Sequence, residues 1–454
     1  MRPGGRTGPR VGFDDFLVMA VVLALFFESP NDWLWTTHGF AIPNLAFVLT
    51  GAVVIGRAVY LASRGRFDLS KPSWREYTVI GLFAAYVVTS LAAALVGHPH
   101  PQPKGAPLVL VSHLGQSIKT FAHFAYMALI TLLLGRLLAP ALLRRAFATF
   151  FVLAVAAAAI ACLQALDQNV LHTGATSTFH LISRSTDGFI RPCSVFSEPA
   201  ILGYYMLIGV IAGLWLYAAS KNRWIWLGIG LCLVATLLSA AAGPAAALIP
   251  VFLYLLWRAA RVWRRFWREL AVITVAATAV LVFLPVGQTL SNRASATLSG
   301  SDNSAQFRLK FDRASITIWH LSPLTGVGLG NARYYNPSLV HFGSEFSPNQ
   351  QSEFQSVNSY LGTLSETGVF GLLLLATMML ALFLPFGRVR REGAWVTEAP
   401  ILLCIVAFFF INLLAFPIFW FWAGARLAQL RQLERLAAGE SAQQQAGWPE
   451  LMAA

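Results

Sequence analysis

Residues 356–383 read SVNSYLGTLSETGVFGLLLLATMMLALF. The first half mixes polar residues with glycine, and the second is an unbroken apolar run. A helix rising 1.5 Å per residue needs about 20 apolar residues to cross the hydrocarbon core of a bilayer. Runs of similar length recur along the chain, at 13–28, 40–62, 77–97, 114–138, 146–166, 199–219, 224–240, 244–259, 270–286, 357–386, 399–413 and 415–428. They predict an all-α polytopic membrane helical bundle with about 12 transmembrane helices. Asn412 and Pro417 separate the last two runs, because proline removes a backbone donor and disfavours helix at the residue before it.

Composition supports the same class. The 454 residues are 57% hydrophobic and only 12% charged, with a mean hydropathy of +0.62. Soluble domains carry about 25% charge, so too little polar surface remains to cover so many core helices. The net charge of +13 would suggest nucleic acid in a soluble protein. Here most Lys and Arg fall between alternate spans, as in Arg57, Arg64, Arg66, Lys71 and Arg75, or Arg258, Arg261, Arg264, Arg265 and Arg268. That is the pattern of cytoplasmic loops held against an anionic leaflet, with no nucleic-acid partner. It predicts one integral membrane domain over 1–454 with both termini in the cytoplasm. The N-terminal MRPGGRTGPR and FLVMAVVLALFF lack a small-residue cleavage site and read as a first span that stays. Cys162, Cys232 and Cys404 lie within spans and Cys193 in a loop, so no disulfide framework or metal spacing follows.

Two outer loops break the charge pattern. Residues 167–198 carry Arg184 and Arg191, and residues 287–356 carry Arg293, Arg308, Lys310, Arg313 and Arg333. A loop of about 70 residues is usually functional or has helices of its own. Within it, Phe307, Phe311, Ile318 and Trp319 alternate with Arg308, Lys310, Asp312 and Arg313, which predicts an amphipathic helix over 304–321 lying at the membrane surface. The SPLTGVGLGN that follows has neither the spacing nor the strand context of a dinucleotide site, and its glycines point to a tight turn or close backbone approach. Arginine on the outer face suits an anionic ligand, since its planar fork matches phosphate and stays charged.

Three stretches carry a resemblance to a known family. They are RLKFDRASITIWHLSPLTGVGLGN at 308–331, SVNSYLGTLSETGVFG at 356–371 and FIRPCSVFSEPAILGYY at 189–205. The chain resembles the O-antigen ligase and O-antigen polymerase family, multispanning enzymes that join lipid-linked glycans outside the cytoplasmic membrane. The resemblance implies a GT-C-like bundle with a large periplasmic loop in the bacterial inner membrane. It implies a polyprenyl-diphosphate-linked glycan as substrate and needs neither metal nor other cofactor. It also implies that Arg308 meets the diphosphate or the glycan; Arg191, then Arg313, and Asn358 are the further candidates for that contact. The acceptor hydroxyl needs a base within hydrogen-bond reach, for which Glu198 is the first candidate and Glu366 the second. Glu366 lies eight residues after Asn358, about 12 Å deeper along the same helix face, where an ionisable group is functional by default.

The sequence departs from the family pattern at two positions. Val357 stands where a histidine is expected, and Ala242, in the Ser239–Gly243 stretch, stands where an arginine is expected. The first departure favours polymerisation of lipid-linked oligosaccharides, for O-antigen or exopolysaccharide, over ligation of finished glycan to lipid A-core. Two readings lie outside the class: a lipid-linked glycan flippase, and an inactive relative that binds other glycan-assembly proteins. A flippase should carry cations within several spans, where Lys119 is the only clear one, and a two-half transporter should show an internal repeat, which is absent.

Overall fold

The computed structural model describes residues 12–26, 45–65, 67, 74–96, 113–175, 183–186, 189–196, 198–259, 292, 295, 303–340, 358–384, 395–412, 414 and 416–437. They form α1 (Phe13–Phe26), α2 (Leu45–Ser63), α3 (Trp74–Val96), α4 (His113–Leu137) and α5 (Pro140–Leu166). A π-helical turn, Asp167–Leu171, prolongs α5 and leads to a two-stranded hairpin, β1 (Ser183–Thr186) and β2 (Phe189–Pro192). Then come α6 (Pro199–Ser220), α7 (Ile225–Leu238), α8 (Ala242–Ala259), α9 (Asn303–Leu321), α10 (Ala332–Leu339), α11 (Ser359–Phe383), α12 (Trp395–Ala407) and α13 (Pro417–Ala437).

The chain is a multi-pass helical membrane protein. Among the described residues, five helices are long and apolar enough to cross a membrane: Glu76–Leu95, Ser117–Leu137, Pro140–Leu171, Pro199–Ser220 and Ser359–Phe383. Shorter apolar helices accompany them at Leu49–Ser63, Ile225–Leu238, Ala242–Trp257 and Val396–Ala407. The expected span at 270–286 lies outside the described residues.

Helix α6 is the hub. Its apolar residues point in every direction, and it is buried almost throughout, against α5, α7, α8 and α12. Lipid offers no hydrophobic drive between helices, so close approach through small residues has to supply the packing. A methyl group on Gly203 would come within 2.6 Å of Pro244, on Gly209 within 2.6 Å of Ala154, and on Gly213 within 2.5 Å of Phe151. Near the start of α6, Tyr205 stacks among Phe26, Phe150 and Phe196 and donates its hydroxyl to the Leu25 carbonyl at 2.8 Å.

The two ends of the bundle differ chemically. At one end lie carboxylates in the first turns of α1, α3 and α12. The positive helix dipole favours them there, and arginines from neighbouring helices pair with them: Arg57 with Asp14 at 2.6 Å, Arg145 with Asp15, and Arg136 with Glu76 at 3.7 Å. The fourth pair is fully buried. Arg426 of α13 donates to Glu398 at 2.9 Å, to the Leu382 carbonyl at 2.9 Å and to Gln429 at 3.0 Å. Tyr254 of α8 donates its hydroxyl to the other oxygen of Glu398. One guanidinium thereby ties together α8, α11, α12 and α13. The opposite end holds the start of α4, α6 and α11 together with α9, α10 and the hairpin.

Three features differ from the sequence expectations. The hairpin at 183–192 and helix α10 have no strong period of their own in so polar a stretch. Helix α9 forms over nearly the expected residues, but Phe311, Ala314 and Ile318 turn into the protein and pack beside α10 and α11. The amphipathic face therefore has a protein partner.

The Arg426 cluster is tested by truncation. Arg426→Ala leaves Glu398 buried without its counter-charge, a class of change that costs about 3–5 kcal/mol. Thermal unfolding of the purified protein in detergent should show a clear drop in melting temperature. A melting temperature equal to that of the unaltered protein contradicts the assignment of this cluster as the clamp of the α8–α13 corner.

Candidate functional site

The glycine stretch after α9 and the start of α11 are one structural unit. Inside α11, Gly368 leaves the helical region (φ 65°, ψ −167°). A regular helix would bond the Val369 N–H to the Ser365 carbonyl and the Phe370 N–H to the Glu366 carbonyl. Here the loop takes both places. Val327 donates to the Ser365 carbonyl at 3.0 Å and Gly328 to the Glu366 carbonyl at 2.8 Å. In return, Val369 donates to the Pro323 carbonyl at 2.9 Å and Phe370 to the Leu324 carbonyl at 3.3 Å. Irregular backbone at membrane depth is tolerated where protein satisfies its polar groups, and this exchange does so bond for bond.

The exchange explains the glycines. A Cβ on Gly326 (φ +69°) would lie 2.3 Å from the Glu366 carbonyl carbon, and one on Gly368 2.2 Å from the Leu324 oxygen. Beyond the exchange, Ser117 of α4 donates to the Leu329 carbonyl at 2.8 Å, and Asn331 folds its amide back onto the Val327 carbonyl at 3.0 Å. A Cβ on Gly328 would meet the Ala94 backbone of α3 at 2.9 Å. The loop is thus wedged between α3, α4 and α11.

Glu366 sits at the centre of this wedge. Its carboxylate accepts hydrogen bonds from the Gly330 and Ala332 backbone N–H groups and lies within the field of Arg333. It is a fixed anchor for the loop and for the first turn of α10. Asn358 is placed as a helix cap: its side-chain oxygen accepts from the N–H groups of Tyr360 at 3.0 Å and Leu361 at 3.2 Å. The signal for that was an Asn directly before a helical apolar run. Ser359 adds a bond to the Ile411 carbonyl at 2.8 Å, docking the start of α11 on the end of α12.

With one face of α9 packed inward, Arg308 and Asp312 stand on its flank, one turn apart and half-buried. Arg308 acts electrostatically on both Asp312 and Tyr204, which lies near the buried start of α6. Burial pushes the Asp312 carboxyl above the usual carboxylate range, with the Arg308 charge opposing. The Tyr204 hydroxyl is buried and lies against Gly243 at the start of α8, where a methyl group would come within 2.3 Å of it. Arg313 lies about 140° around α9 from Arg308 and is exposed, as is Lys310. The sequence singled out Arg308; it gave no signal for Tyr204, which sits in an apolar run, and Asp312 read only as a polar position of the amphipathic helix.

The remaining candidates come from the other outer segment. Arg191 is half-buried on β2, whose register sets it opposite Arg184. The hairpin is fixed by Asn169, which bonds the Ile190 N–H at 2.7 Å and the Ile190 carbonyl at 2.8 Å. Ser194 then ties the chain back to Gln164 and Ala157 of α5, each at 2.7 Å. Glu198 is exposed at the N-cap of α6 without a capping bond from its side chain, and Pro199 opens the helix.

The bundle is that of a multi-pass membrane protein with a glycine loop interlocked with a broken helix, beside an arginine-bearing helix at one end. Residues 228–376, which span α7 to most of α11, match the family model described as O-Antigen ligase. That match supports membership of the O-antigen ligase family. No curated protein matches it significantly.

The interlock makes a sharp prediction. Gly326→Ala forces a methyl into the Glu366–Thr367 backbone at a φ that costs an L-residue about 1–2 kcal/mol before any clash. Hydrogen exchange at the Val327 and Gly328 amides should rise strongly. Gly230→Ala, with nothing within 4 Å, should leave those amides as they are. Unchanged protection in Gly326→Ala would contradict the backbone exchange.

Proposed function

We propose that this protein polymerises lipid-linked oligosaccharides at the outer face of the bacterial cytoplasmic membrane, with both termini in the cytoplasm. The donor is a glycan on a polyprenyl diphosphate, and the acceptor is a sugar hydroxyl on a second lipid-linked glycan. The observation that carries this reading is the flank of α9, where Arg308 acts electrostatically on Tyr204 near the start of α6, at the end of the bundle opposite the ion-paired one. That chemical polarity fits the positive-inside rule: the arginines of the far end are paired structural groups, and Arg308 is held for something else.

The leaving group is a lipid diphosphate, already stable as an anion. Catalysis then needs charge stabilisation at the departing oxygen more than it needs a strong acid. Arg308 and Arg191 supply it in this reading, with Arg313 as an outer cation that draws the headgroup in. The acceptor hydroxyl gives its proton to a carboxylate at the same end, where Glu198 and Asp312 stand. Glu366 and Asn358 serve by holding the loop and α11 in place, and contact with the glycan through Asn358 would come from the same helix end.

Ligation of a finished glycan to lipid A-core is the second reading, favoured by the description of the matching family model. Val357, where the family's histidine is expected, weighs toward polymerisation.

The arginines provide the test. A charge-assisted hydrogen bond contributes about 1.5–3 kcal/mol, so losing one should cost roughly 10- to 150-fold in transfer. Arg308→Ala and Arg191→Ala should each shorten the polymer seen on gels at normal protein level. Lysine should rescue poorly, since it keeps the charge but loses the fork. Full-length polymer from both alanine variants would rule out a shared diphosphate site.

A further inference from the structure

We propose that Asp312 is the base that takes the proton from the acceptor hydroxyl, one helical turn from the arginine that holds the departing diphosphate. The proposal rests on the glycan-transfer reading above and moves the proton acceptor from Glu198 to α9.

Four carboxylates stand at this end of the bundle among the described residues. That of Asp167, on the π-helical turn after α5, is buried and accepts a hydrogen bond from the Thr173 hydroxyl. That of Glu366 is occupied by two backbone N–H groups and cannot turn to a substrate without releasing the loop. That of Glu198 is exposed at a helix N-cap, makes no capping bond and has no hydrogen-bond partner among the described residues. Asp312 is different: its Oδ1 is buried and has no hydrogen-bond partner among the described residues. A buried carboxylate oxygen is costly without a donor. Opposite charges one turn apart on a helix ordinarily pair, yet Arg308 and Asp312 form no ion pair or hydrogen bond with each other or with any other described residue. The Tyr204 hydroxyl, 4% exposed with its residue, is likewise buried with no hydrogen-bond partner among the described residues. Arg308 thus acts electrostatically on both a phenol and a carboxylate, each with a buried oxygen that has no hydrogen-bond partner among the described residues.

That set has a specific complement. The guanidinium fork and the phenol suit phosphate oxygens, and the carboxylate suits a neutral hydroxyl. A lipid-diphosphate sugar and an incoming sugar hydroxyl bring both. In the step, the acceptor oxygen forms a bond to the anomeric carbon. The bond from that carbon to the diphosphate oxygen breaks, and its electron pair leaves with the diphosphate beside Arg308 and Tyr204. The hydroxyl proton passes to Asp312 and later to water. Burial raises the proton affinity of this carboxylate, which a base acting on a hydroxyl needs.

The experiment uses the full chain in lipid nanodiscs with two probes. One is the lipid-linked glycan that accumulates in source cells lacking the protein, for turnover; the other is farnesyl diphosphate, for binding. Asp312→Asn keeps the shape and removes the base. It should cut kcat by about 100-fold or more, with KM and farnesyl diphosphate affinity within about threefold of the unaltered protein. Asp312→Glu should recover part of the rate, which also guards against a folding defect in the Asn variant. Full turnover in Asp312→Asn, or loss of turnover in Glu198→Gln alone, overturns the assignment and leaves the Arg308 reading standing. Joint loss of turnover and farnesyl diphosphate binding in Asp312→Asn also overturns it, because Asp312 then acts only by placing Arg308. Full turnover in both Asp312→Asn and Arg308→Ala sinks the transfer site itself.

Discussion

The break in α11 at Gly368 and the four backbone hydrogen bonds that bridge it hold the site together. A helix in a membrane cannot leave two carbonyls and two N–H groups open, because each would cost several kcal/mol away from water. The loop at 323–328 supplies all four partners. Loop and helix therefore fold as a pair, and neither conformation is stable without the other. What hangs from the pair follows: α9 on one side, α10 and Arg333 on the other, and Glu366 fastened between them by the Gly330 and Ala332 amides.

This constraint also divides labour along the bundle. At one end every described ion pair is a staple between helices, culminating in the Arg426–Glu398 cluster. At the other, rigidity comes from backbone exchange and from caps such as Asn358, and the Asp312 Oδ1 and Tyr204 hydroxyl have no hydrogen-bond partner among the described residues. Charges that a fold does not consume are the ones open to a ligand. The family match, which spans α7 to most of α11, covers the interlock and the α9 flank together.

Much of the bundle was legible in the sequence because apolar runs of membrane length have few alternatives. Helix α9, the break before Pro417 and the close backbone approach of the GVGLG glycines could all be read from residue type and period. The rest depended on contacts between distant segments. Gly368 looked like one more glycine in a span, since nothing local announces that Leu324 lies 2.2 Å from where its side chain would be. Glu366 read as an ionisable group inside a span, when its partners are backbone amides some 35 residues earlier. Tyr204 was invisible, because a tyrosine within GYYMLIGVIAG is indistinguishable from packing until α8 and α9 are set beside it.

The central claim is that the α9 flank and the start of α6 together form an anion site on the loop-bearing end of the bundle. Single-particle electron microscopy of the full chain in nanodiscs, saturated with farnesyl diphosphate, tests it most directly. Diphosphate density between the Arg308 guanidinium and the Tyr204 hydroxyl, with the prenyl chain running toward the bilayer, is the predicted result. Density at the opposite, Arg426-bearing end, or a bound diphosphate that touches neither α9 nor α6, would contradict the account.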